Sequence, residues 1–176
     1  SSSDALTGSL WPDFAPRPKA DLNNEFWFHF DRHQEIDKIT DRTSILEPIR
    51  QTLRPLFRKT SPVVLDMMLD HHLAKHWNEY SDHSLEQYSE DVYEKLKAFS
   101  SIALPENFQR TLYYMSRDNW FLSYRQEAGL HRALDGLSRR IRFKNTLQEN
   151  RFKAGPFTQK FESELDVFVR FLFEHF

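Results

Sequence analysis

Apolar residues recur along much of the chain at spacings of three and four, the period of a helix buried on one side. In the last stretch Phe161, Leu165, Phe168, Leu172 and Phe176 form such a stripe, predicting a helix from about Thr158. In the segment 63–77, Leu65, Leu69, Leu73 and Trp77 share one face. Ser61-Pro62 is a start signal for that helix, because Pro is tolerated at the first helical position, and it is expected to run to about Tyr80. Upstream, a helix is predicted over about 24–38, with Phe26, Trp27, Phe28 and Phe30 near its start. Ser44 with Glu47 has the spacing of a capping box, opening a helix that Pro55 should kink. Ser84 with Gln87 opens another to about Phe99, and Pro105 begins the next. Residues 120–142 hold one or two more around Gly129 and Gly136, and Gly155-Pro156 is expected to break the chain. Pro12, Pro16 and Pro18 prevent a long helix in residues 1–22, which read as an extended lead-in with one apolar strip. The expectation is an all-α fold, a single compact multi-helix domain over residues 1–176.

Composition strengthens that picture and removes several function classes. Only 4 Gly are present, and 16 Phe, 4 Trp and 6 Tyr supply bulky core material. There is no Cys, which excludes disulfides, thiolate chemistry and Cys-ligated zinc and suits a cytoplasmic protein. No segment approaches the roughly 20 apolar residues of a membrane span. The start lacks a basic region followed by an apolar one, so no secretory signal is read there. A net charge of −2 gives no reason to expect nucleic acid.

Candidate chemistry concentrates in two segments. Asp66 and Asp70, four apart, fall on the flank of the apolar face of 63–77. A buried carboxylate is costly unless a cation or strong donors meet it, so a shared metal and a salt bridge to one of the Arg residues are both open. Asp70-His71 sets a hard oxygen beside an imidazole, and His72 with His76 has the spacing of a chelating pair or of ordinary helix residues. In 29–41, His33 and Asp37 share a helix face and Asp41 repeats the spacing, although Asp41 reads better as a surface or N-cap residue. Mixed His and carboxylate ligands suit Mn²⁺, Mg²⁺ or Fe²⁺, which polarise a phosphoryl oxygen and acidify bound water. Asp13 sits on an irregular segment among Leu10, Trp11 and Phe14. There is no Gly-rich phosphate loop, G-x-S-x-G elbow or H-E-x-x-H, so metal-assisted hydrolysis is the enzymatic reading with several residues behind it.

The order of "GSLWPDF" (8–14), "HQEIDKITD" (33–41), "LDMMLDHHLAKHW" (65–77), "WFLSYR" (120–125) and "GLSRR" (136–140) resembles the acyl carrier protein phosphodiesterases. The resemblance implies an all-α fold distantly related to HD phosphohydrolases. It also implies Mn²⁺-dependent cleavage of holo-acyl carrier protein to the apo form and 4′-phosphopantetheine. It assigns Asp13, His33, Asp70 and His71 to the metal and to catalysis, with Asp37 and Asp66 orienting the ligand histidines. Two departures are visible: no Asn-x-Leu-Ala-His stretch precedes "GSLWPDF", and Gln34 stands where the family often has Arg. Asp118 and Asp135 are candidates for the late Asp of HD enzymes.

An acidic carrier protein calls for basic docking residues. Arg139, Arg140, Arg142 and Lys144 form one run, and Arg50, Arg54, Arg58 and Lys59 another. Trp77, Trp120 and Tyr124 are candidate walls of a pantetheine channel, or simply core. The rival readings are an HD-type nucleotide phosphohydrolase and a non-catalytic helical module that binds carrier protein.

Overall fold

Helix α1 covers Ser3–Leu10, inside the stretch expected to be extended. Ser2 caps it by accepting a hydrogen bond from the Ala5 amide. The prolines limit its length without preventing it: the helix gives way to a 3₁₀ turn over Trp11–Asp13, with Pro12 at its start. The computed structural model describes all residues from Ser1 to Phe176, and every regular element in it is helical. The further helices are α2 (Asn24–Arg42), α3 (Glu47–Phe57), α4 (Ser61–Lys75), α5 (Leu85–Ala98) and α6 (Glu106–Arg117). They are followed by α7 (Trp120–Ser123), α8 (Glu127–Arg140), α9 (Leu147–Asn150), α10 (Ala154–Lys160) and α11 (Glu162–His175).

Several boundaries differ from the sequence expectation, each for a local reason. Thr43, not Ser44, supplies the cap, accepting from the Ile45 amide, and Ser44–Leu46 form a 3₁₀ turn ahead of α3. Glu47 instead turns to Arg50 and Arg54, at 2.9 and 3.2 Å. Pro55 lies in the last turn of α3, so it precedes a stop rather than a kink. Helix α4 ends at Lys75, and a 3₁₀ turn over Trp77–Glu79 takes up the remainder. Gly155 and Pro156 do not break the chain. They lie in the first turn of α10, where an amide has no intrahelical partner and the missing N–H of Pro costs nothing. Asp41 is in the last turn of α2, not at a cap.

Contacts divide the chain into two compact units, Ser1–Thr40 with His83–Asn119 and Asp41–Asp82 with Trp120–Phe176. In the first unit an aromatic core gathers Trp11, Phe26, Phe30, Phe99 and Phe108, all buried. Gly8 lets α1 approach the start of α2 backbone to backbone: a Cβ there would collide with the Phe26 carbonyl. In the second unit α4 is central, touching α3, α8, α10 and α11. Its buried residues include Val64, Leu65, Met68, His71 and His72, while Leu69 and Leu73 are only half-buried. The buried stripe is therefore rotated away from the face that Leu65, Leu69 and Leu73 define.

Candidate functional site

In the first unit, Asp13 ends the 3₁₀ turn that Trp11 anchors. The Trp11 ring is buried against Phe26, and its Nε1 donates to the Pro16 carbonyl at 3.1 Å. Phe14, next in the chain, stacks on Phe108 with ring centres 4.3 Å apart. An irregular segment pinned on both sides of Asp13 thus holds an exposed carboxylate in place. His33 projects from α2 toward it. The His33 Nε2 is 3.5 Å from Asp13 Oδ1 and 3.2 Å from Asp37 Oδ2. Asp37 arrives through the helical repeat, four residues on, whereas Asp13 arrives through the fold.

Burial of the His33 ring opposes its charge, but hydrogen bonds and charge attraction from Asp13 and Asp37 outweigh that and raise its pKa to about 10. The folded value lies above the ordinary 6.5. The stabilisation is therefore complete below pH 6.5 and lost as pH rises through 10. In chelator-treated protein the His33 ring should still give imidazolium NMR shifts at about pH 8, and Asp37→Asn should move the midpoint down. A wild-type midpoint at or below neutrality would mean the two carboxylates do not hold the ring.

Two carboxylate oxygens facing one imidazole nitrogen form a donor set that fits a hard to borderline divalent ion. With its pKa raised to about 10, His33 keeps a proton at neutral pH that an ion of that class would have to displace.

The other expected ligands lie in the second unit. His71 is buried, and its Nδ1 donates to the Tyr124 carbonyl at 2.5 Å. Burial lowers its pKa, so the ring is neutral and its lone pair is on Nε2. Asp66 and Asp70 are exposed, not on the edge of the buried stripe, because that stripe is rotated toward Met68 and His72. The premise that these two acids are buried and need a cation therefore fails. Asp118 is held by Arg117 through two bonds of 2.7 and 2.8 Å, and Asp135 lies 3.3 Å from Arg151.

A third group was only half visible in the sequence. One ring nitrogen each of His72 and His76 and a carboxylate oxygen of Glu162 lie within 4.8 Å of one another, an arrangement able to hold a divalent metal. His72 is buried and its pKa is lowered to about 4, by burial first and the neighbouring His76 second, so the ring is neutral. Glu162 opens α11, far along the chain, and nothing in its local sequence separates it from other acids in first helical turns.

Arg139 and Arg140 close α8, and Arg142 and Lys144 follow it; all four are exposed. Arg50 and Arg54 are instead engaged with Glu47, which leaves the exposed Arg58 and Lys59 of that run. Trp77 is buried, and Trp120 and Tyr124 are half-buried. No helix is long and apolar enough to cross a membrane.

A family model described as acyl carrier protein phosphodiesterase matches residues 1–172. A protein of that name from Klebsiella pneumoniae is 28% identical over 138 residues, covering 77% of this chain and 71% of its own. One from Pectobacterium atrosepticum is 28% identical over 122 residues, with 68% and 63% covered. One from Escherichia coli is 27% identical over 141 residues, with 77% and 71% covered. No solved structure matches the chain.

Proposed function

The chain belongs to the acyl carrier protein phosphodiesterase family, and from that premise we propose that it hydrolyses the phosphodiester joining 4′-phosphopantetheine to a serine of holo-acyl carrier protein. The observation that carries the reading is the meeting of Asp13 with His33 and Asp37, residues from two separate motifs of the family resemblance. Asp13, His33, Asp70 and His71 are the proposed metal and catalytic residues, and Mn²⁺ is the proposed ion, with Mg²⁺ and Fe²⁺ as its alternatives. When bound, such an ion supplies Lewis acidity toward the phosphoryl group and a water acidic enough to act as nucleophile at neutral pH.

The chain's own residues prepare for this. His33 must give up its proton before its Nε2 can act as a ligand, so occupancy falls as pH falls. Asp37 steadies that ring through the helix repeat, which supports its orienting role. The bond from His71 to the Tyr124 carbonyl fixes the ring and directs its lone pair to Nε2, as a ligand histidine requires. For Asp66 the orienting role rests on its motif position alone. Arg139, Arg140, Arg142 and Lys144 are proposed to receive the acidic carrier in the cytoplasm.

The test is to incubate the protein with holo-acyl carrier protein, with and without Mn²⁺, and follow the intact carrier mass. Metal-dependent loss of the phosphopantetheine group is expected. Turnover of a nucleotide with none of the carrier would select the nucleotide phosphohydrolase instead. Binding of the carrier with no turnover under any divalent ion would select a binding module. Replacing Arg139 and Arg140 with Glu should slow association about tenfold or more at low salt and flatten its salt dependence. Unchanged association would move the docking face elsewhere.

A further inference from the structure

The surroundings of His72 and His76 decide where their protons sit. The Tyr80 hydroxyl donates its one hydrogen to Asp166 Oδ1 at 2.6 Å. The 3.1 Å contact between that hydroxyl and His72 Nε2 must therefore use the ring's own N–H. The lone pair of His72 is left on Nδ1, which is buried and has no hydrogen-bond partner. His76 shows the same economy. Its Nδ1 donates to Glu79 Oε1 at 2.9 Å, which turns Nε2 toward Glu162. That nitrogen is buried and 2.7 Å from Glu162 Oε1, yet outside the geometry of a hydrogen bond. An imidazole nitrogen and a carboxylate oxygen this close call for a cation between them, and the geometry disfavours a proton on the line that joins them.

We propose that His72, His76 and Glu162 form a second metal site, one for a borderline divalent ion of the Zn²⁺ class. Two imidazoles with one carboxylate suit such an ion better than the oxygen-rich set around His33 does. The groups behind the ligands have the arrangement that metal-binding histidines use: Glu79 backs His76, and Tyr80, itself held by Asp166, backs His72. Arg170 fixes the two acids from the other side, at 2.9 Å from Asp166 and 3.2 Å from Glu79. The trio shares no residue with Asp13, His33, Asp37, Asp70 or His71. It joins the C-terminal end of α4 to the first residue of α11, so a bound ion would pin these two helices within the second unit.

The site is tested by stripping the full chain with chelator and titrating it with Zn²⁺ by calorimetry. Thermal unfolding and the visible spectrum of the Co²⁺-substituted protein serve as second readouts. Wild type should bind Zn²⁺ with a rise in Tm. Glu162→Gln, which changes a partly exposed oxygen and preserves shape, should bind at least about tenfold more weakly at this site. His76→Ala should lose the site and the tetrahedral Co²⁺ band, while His33→Ala retains both. Equal Zn²⁺ binding in folded Glu162→Gln and His76→Ala would place the ion elsewhere. Absence of binding in wild type would show that a proton closes the His76–Glu162 contact. Should His76→Ala fail to fold, Glu162→Gln decides by itself.

Discussion

His33→Ala is expected to lose about 100-fold or more of phosphopantetheine release while its far-ultraviolet circular dichroism stays that of wild type. The size follows from what the ring holds together. Its Nε2 is the common neighbour of Asp13 and Asp37, and without it the two carboxylates lose the group that links them and the set loses a donor. The retained fold follows from position. The packing core of the first unit is made by Trp11, Phe26, Phe30 and Phe108, and His33 lies outside it. Asp70→Ala should lose turnover in the same way and keep the fold, since Asp70 is an exposed helix residue outside the core. Full activity in His33→Ala would remove the metal assignment of the Asp13–His33–Asp37 group, and full activity in Asp70→Ala would remove that of Asp70.

Phe26→Ala should cost about 3–5 kcal/mol of stability, measured by urea unfolding at fixed pH. The ring is fully buried, with Trp11 at 5.6 Å, Trp27 at 5.1 Å, Phe30 at 6.2 Å and Phe99 at 6.3 Å between ring centres. Its backbone carbonyl also lies directly under Gly8, so α1 has little room to settle into the space left behind. A loss of that size is a large part of the roughly 5–15 kcal/mol that holds a domain folded. It should carry a functional cost as well, because Trp11 rests on Phe26 and fixes the turn that ends in Asp13. A change below about 1 kcal/mol would mean that the aromatic cluster re-packs freely.

The helices themselves were legible because their signals are local. Ser84 caps α5 through the Gln87 amide, as its spacing implies, and the Phe161, Leu165 and Phe168 stripe is buried. The entry to α3 departs from its capping-box spacing because Thr43 and Ser44 are chemically interchangeable and Thr43 caps the 3₁₀ turn ahead of the helix, while the Arg residues that draw Glu47 away come a turn later. The buried face of α4 is set by its neighbours. Its apolar residues nearly encircle the helix, so which of them turn inward depends on what α3, α8, α10 and α11 bring against it.

The pair of His33 and Asp37 was fixed by sequence, since a helix places residues four apart on one face whatever surrounds them. Asp13 beside His33, the Tyr124 carbonyl on His71, and Glu162 beside His72 and His76 were decided only by the tertiary structure. These contacts join residues distant along the chain, and no local periodicity encodes which distant residue will meet which. The sequence chose the helices and the chemistry each could offer; the packing of buried aromatic and aliphatic faces chose which of those offers met.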